Sequence, residues 1–146
     1  DPSGVTPLCL LSIPKIDLRV AVDEGISNSV LRYAVGHFPG TALPGETGNF
    51  SLVGHRNSTF GGFFRRLDEV GVGDAIFVEG DGESYAYVVS EVLVVEPEET
   101  WVLDPTPGAS ITLITCTGLH NTVRLVVRGV LALAGEGSAD SQCPTE

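Results

Sequence analysis

The C-terminal third of the chain limits the fold most. Two β-branched runs, SITLITC (110–116) and RLVVRGVLAL (124–133), are joined only by TGLHNTV (117–123). Val, Ile and Thr are stiff at χ1 and suit a pleated surface. A connection this short leaves no room for a helical crossover, so the two runs are expected to pair as antiparallel strands. Upstream, LCLLSIPKIDLRVAV (8–22) holds two extended apolar stretches broken by Pro14, a pattern suited to edge or entry strands. NFSLVGH (49–55), AIFVEG (75–80) and ESYAYVVSEVLVVE (83–96) add further strands, the last two separated by the hairpin dipeptide Asp81-Gly82. Seven or eight strands follow one another with very little helix between them, which predicts an all-β fold: a closed or nearly closed antiparallel barrel.

Between the strands, SNSVLRYAVG (27–36) is the best helix candidate. Ser27 or Asn28 can cap it, Val30, Leu31 and Ala34 share a face, and Gly36 can end it. HFPGTALPGETG (37–48) is a loop dense in Pro and Gly. FGGFFRRL (60–67) predicts a short amphipathic turn or helix packed through Phe63, Phe64 and Leu67, GVGD (71–74) a turn, and PEETWVLDPTPG (97–108) a loop with one helical turn. The chain divides into an irregular lead-in and strand entry (1–12), a barrel domain (13–133) and a flexible polar tail (134–146).

At 146 residues the chain can bury a core without staples. Its net charge of −11, with only eight dispersed Lys and Arg, argues against nucleic acid, whose phosphates require clustered cations. Cys9, Cys116 and Cys143 have no metal-ligand spacing, so neither zinc nor another metal is expected. A Cys9–Cys143 bond would need an oxidising compartment and an ordered tail. GEGSADSQCPTE (135–146) reads as disordered, so the two are expected to stay unpaired. The sequence holds no Met, which reads as a segment of a longer protein, and its best apolar run, LVVRGVLALAG, is short and carries Arg128. A membrane anchor or signal peptide is expected outside this chain.

Antiparallel pairing of the last two runs sets Cys116, near the end of one, beside Arg124, near the start of the next. A guanidinium there favours the thiolate and offers fixed donors to an oxygen that becomes negative during attack on a carbonyl. A nucleophilic cysteine also needs a proton partner, and the candidates are His37, His55 and His120. Taken alone, the same residues also fit a small core cysteine, satisfied histidines and a solvated arginine.

The words around them carry more. TLITC (112–116) matches the T-L-x-T-C signature of sortases, the cysteine transpeptidases of Gram-positive cell surfaces. VGHR (53–56) resembles the family's histidine motif, RLVVRG (124–129) the strand with its essential arginine, and AVGHFPGTALPGETGNFSLVGHR (34–56) the approach to that histidine. The resemblance runs from about Ile13 to Leu133. It implies the eight-stranded sortase β-barrel with one or two short helices, and a catalytic triad of His55, Cys116 and Arg124, with Thr115 lining the substrate groove. His37 and His120 match no catalytic position and read as groove, loop or surface residues; Cys9 and Cys143 match no role.

The implied reaction cleaves an LPxTG-type sorting signal through a thioacyl intermediate. An amine acceptor, a peptidoglycan precursor or a pilin lysine, then takes the acyl group without any cofactor. The implied location is the extracellular face of a Gram-positive membrane. The GHFPGTALPGETGN segment is similar to class D or E enzymes and the CTGLHNTVRLVVRG ending to class C. Two alternatives stand beside this reading: a cysteine peptidase that lets water finish the same first step, and a non-catalytic β-barrel binding module with an inert Cys116.

Overall fold

A computed structural model of the chain describes residues 8–26, 30, 34–54, 63–80, 82–96, 98–117 and 123–136. Eight strands, β1 (Cys9–Ile13), β2 (Leu18–Glu24), β3 (Val35–His37), β4 (Gly48–Gly54), β5 (Ala75–Gly80), β6 (Glu83–Val95), β7 (Ala109–Thr117) and β8 (Val123–Glu136), close into one barrel. Around the barrel their order is β1-β2-β3-β4-β7-β8-β6-β5. Helix among the described residues is confined to single turns: 3-10 turns at Pro14–Ile16, Leu67–Glu69 and Thr100–Leu103, and a helical residue at Val30.

Six of the eight neighbouring pairs are antiparallel, as expected. Pro14 opens the turn between β1 and β2, and the β5–β6 pair closes at Gly80↔Glu83 around the Asp-Gly dipeptide. Two pairs, β2 with β3 and β4 with β7, are parallel, a departure from an all-antiparallel barrel. Parallel neighbours need a long return path. Residues 25–34 supply one for β3, and β5 with β6 are inserted between β4 and β7 in the chain.

The expected helix over 27–36 is also corrected at its end. The Ala34 N–H bonds the Val30 carbonyl at 3.0 Å, one α-type turn, and Val35–His37 then becomes β3. Val22↔Val35 and Glu24↔His37 pairing overrides the local helical pattern, because Val35 is buried only in the sheet. Residues 27–29 and 31–33 lie outside the described residues.

Leu11, Val22, Phe50, Leu52, Tyr87 and Leu113 are among the side chains that fill the barrel. Phe64 and Leu67 cap one side, both with no exposed surface, as the FFRRL pattern predicts. A second, smaller cluster of Val95, Val102, Ile114 and Val126 is separate from this interior. It exists because the segment after β6, Thr100–Leu103, folds back and lays Val102 against Ile114 and Val126. Burying a valine in this way contributes about 1.5–3 kcal/mol. β4 and β7 are therefore covered on both faces and are buried at nearly every position, as a central parallel pair must be.

Candidate active site

The last hairpin brings the chemistry together. In the β7–β8 ladder Cys116 stands directly across from Arg124, one step beyond Thr115↔Leu125 and two beyond Ile114↔Val126. Arg124 is half-buried, near the end of the outer apolar cluster. On the other flank of β7, Gly54 of β4 lies beside Thr115, and the residue that follows Gly54 in the sequence is His55. His55 and His120 lie outside the described residues, as does the side chain of Cys116. The C-terminal ends of two parallel strands, β4 and β7, thus reach the same rim of the barrel as the start of β8.

Gly54 has a steric reason to be glycine. A Cβ at this position would sit 2.9 Å from Cδ2 of the buried Phe64 ring. Thr115, expected in the groove wall, has no exposed surface, and its Oγ1 finds no hydrogen-bond partner among the described residues.

His37, read from the sequence as a groove, loop or surface residue, is a buried link between β2 and the β3–β4 connection. Its Nδ1 lies 2.7 Å from Glu24 Oε1 and its Nε2 2.9 Å from the Ala42 carbonyl. The Thr41 hydroxyl donates to the Phe38 carbonyl at 2.8 Å and so turns a lone pair toward Nε2, 3.0 Å away. Every one of these neighbours is an acceptor toward the ring. Held this way on both sides, and 2% exposed, His37 serves the architecture.

Cys9 is a free thiol buried in β1, and burial pushes its pKa up to about 12, so it is inert at neutral pH. Cys143 lies outside the described residues. Arg128, opposite Thr112, is engaged elsewhere: its guanidinium lies 5.6 Å over the Trp101 ring and 3.5 Å from Glu91. Among the described residues no three His, Cys, Asp or Glu side chains group as metal ligands would, and no helix is long and apolar enough to cross a membrane.

Sequence reasoning missed one part of this region. Asn49 of β4 and Thr112 of β7 are buried polar residues within apolar strands, and together they tie the 100–104 segment to the barrel. The available signal was the polar residues in β4 and β7, Asn49 and Thr112 among them, within runs otherwise built for burial on both faces.

A sortase domain model matches residues 11–132, which span every strand but the outermost ends of β1 and β8. The chain belongs to the sortase family. Sortase SrtE1 of Streptomyces coelicolor is 41% identical to this sortase over 137 residues, 82% of the chain and 39% of its own length. Sortase A of Streptococcus agalactiae is 29% identical over 133 residues, 88% of the chain and 54% of its own length. The chain therefore spans well under two thirds of either relative. The crystal structure of sortase E1 from Streptomyces coelicolor, with a tripeptide in its active site, superposes with a TM-score of 0.86 at 35% identity and covers 97% of this chain and 96% of its own. Sortase E from Streptomyces avermitilis gives a TM-score of 0.84 at 28% identity, covering 94% and 95%.

Proposed function

We propose that this sortase domain is a cysteine transpeptidase that cuts a sorting-signal peptide of the LPxTG type and passes the acyl part to an amine. The observation that carries the reading is the Cys116↔Arg124 register within the TLITC hairpin. Cys116 Sγ, as thiolate, attacks the Thr carbonyl carbon, and the C–N bond to Gly breaks as protonated His55 gives its proton to the departing amine. The thioester is then attacked by an acceptor amine, which loses its proton to His55 and releases the thiolate. Arg124 aims its planar donors at the carbonyl oxygen on which charge grows. Likeness to the two Streptomyces sortase E structures supports a class E-like groove. The sortases of Gram-positive bacteria among its relatives support action at a cell surface; the acceptor in this reading is an amine of the peptidoglycan precursor or of a pilin lysine.

The test is a peptide panel varied at the middle and final positions of LPxTG, run with and without hydroxylamine or a glycine peptide. A transpeptidase diverts its product to the added amine. A product that stays hydrolysed would mark a cysteine peptidase, and a folded protein whose Cys116 resists alkylation would mark an inert barrel. Within the panel, Arg124→Lys keeps the charge but loses the fork, and is expected to lose about 2–4 kcal/mol of transition-state stabilisation. Arg128→Lys is the charge control. Its side chain is committed to Trp101 and Glu91, so acyl transfer is expected to change little. Equal losses in both variants would remove Arg124 from the triad.

A further inference from the structure

Asn49 is placed where its amide can be satisfied in one way only. Thr112 Oγ1 donates to Asn49 Oδ1 at 2.6 Å, and Asn49 Nδ2 spends its two protons on the carbonyls of Val102, at 2.7 Å, and Asp104, at 3.1 Å. Asn49 is 2% exposed and Thr112 is fully buried, so the amide and the hydroxyl are shielded from water. Aspartate would set a carboxylate oxygen against two carbonyls, and an apolar residue would orphan the hydroxyl and the buried Val102 carbonyl. The bonds form a strut from β7 through β4 into the segment that follows β6.

That segment is also held by the small apolar cluster of Val102, Ile114, Val126 and Val95, and by the Arg128 guanidinium over the Trp101 ring. Ile114 and Val126 stand two ladder steps from the Cys116–Arg124 pair, and Val95 of β6 pairs with Arg124 itself. Through the two carbonyls that Asn49 grips, this segment is tied to β4 and β7. Trp101, the only tryptophan in the chain, lies inside the gripped turn and is partly exposed.

We propose that Asn49, oriented by Thr112, is a positioning residue for peptide capture. It holds the 100–104 segment at a set distance from β7, so that an extended peptide meets a preformed wall on its way to Cys116. Asn49 touches neither peptide nor thiol; it acts through Val102 and Asp104. This inference rests on the transpeptidase reading above and adds the residue that builds the wall of its groove.

The experiment compares wild type, Asn49→Ala, Thr112→Val and Thr112→Ser by peptide turnover, by quenching of Trp101 fluorescence with acrylamide and by the rate of Cys116 alkylation with iodoacetamide. Loosening a pinned wall leaves the reacting groups in place. Thr112→Val is therefore expected to raise KM about tenfold while kcat stays within about threefold, and Asn49→Ala to raise KM further. Trp101 quenching should increase in both, with the alkylation rate unchanged. Thr112→Ser keeps the hydroxyl and should restore KM and quenching toward wild type. Should Asn49→Ala fail to fold, Thr112→Val, which leaves the amide in place, carries the test. An unchanged KM in Thr112→Val, or a loss confined to kcat, would overturn the proposal while leaving the transpeptidase reading standing. If wild type turned over no peptide in the panel, that reading would fall, and the strut's role in capture with it.

Discussion

Substituting Gly54 by alanine tests whether packing, rather than backbone freedom, explains the glycine ahead of His55. Its φ is not in the left-handed region, so the backbone alone would accept a side chain. An unobstructed Gly→Ala change at such a site stabilises a protein by about 0.4–1 kcal/mol, through the entropy of the unfolded chain. Here the new Cβ would stand 2.9 Å from Cδ2, 3.0 Å from Cγ and 3.2 Å from Cε2 of Phe64. Ordinary carbon contacts lie at about 3.5–4.0 Å, so the ring or the strand must give by about half an ångström or more. Phe64 has no exposed surface and packs in the same cluster as Leu67, which leaves the ring little room to retreat. Overpacking of this kind costs about 1–3 kcal/mol. Set against the entropic gain, Gly54→Ala is expected to destabilise by about 0.5–2 kcal/mol.

The assay is urea unfolding with unchanged m, paired with acyl-transfer rate. Because Gly54 lies beside Thr115 and precedes His55, a shift of the strand end should also slow transfer by about tenfold or more. Phe64→Leu opens space for the methyl group. The double variant should therefore be more stable than the sum of the single effects by at least about 1 kcal/mol. The reasoning is refuted if Gly54→Ala is more stable than wild type, or if the two changes simply add.

Other consequences concern buried titratable groups and the β3–β4 connection. Burial raises the Cys9 thiol from 9.0 to about 12 and the Tyr87 phenol from 10.0 to about 12, so above pH 9 the unfolded chain loses these protons first. Stability should be fully present below pH 9 and decline as pH rises toward 12, with each pKa unit worth at most about 1.4 kcal/mol. A flat unfolding midpoint across that range would contradict the assignment, and Cys9→Ala and Tyr87→Phe should each reduce the slope. In native protein at pH 8, mass spectrometry of iodoacetamide adducts should find Cys9 unmodified until urea is added. Replacing His37 by leucine would leave the Ala42 carbonyl and Glu24 without their partner, and thermal unfolding should show a loss of about 1–3 kcal/mol. His37→Leu should slow acyl transfer far less than His55→Ala, and the reverse order would make His37 part of the chemistry.

The hairpin that carries Cys116 and Arg124 was legible from residues 110–133 because everything that specifies it is local. Stiff β-branched residues, a short connection and pairing counted outward from the turn are enough to set the two residues opposite each other. The Asp-Gly hairpin between β5 and β6 was legible for the same reason, and so was the packed face of Phe64 and Leu67. The family motifs were readable as words, since TLITC and VGHR each sit within a few residues of chain.

What only the tertiary structure decided involves partners far apart in sequence. Val35 and Gly36 close a stretch that looks helical by spacing, yet they become part of a strand because β2 and β4 lie on either side. The parallel pairing of β4 with β7 joins residues some sixty positions apart, such as Asn49 and Ser110, and no local pattern encodes it. His37, placed in a loop by its Pro- and Gly-rich surroundings, is buried because Glu24, thirteen residues earlier, meets one face of its ring chemistry and Ala42 the other. Asn49 shows the same limit most plainly. A single polar letter in NFSLVG has no meaning until the chain returns at Val102, Asp104 and Thr112 to use all three of its hydrogen bonds. Local propensity and short connections act over a few residues, whereas satisfying a buried polar group depends on whatever the closed barrel brings to it.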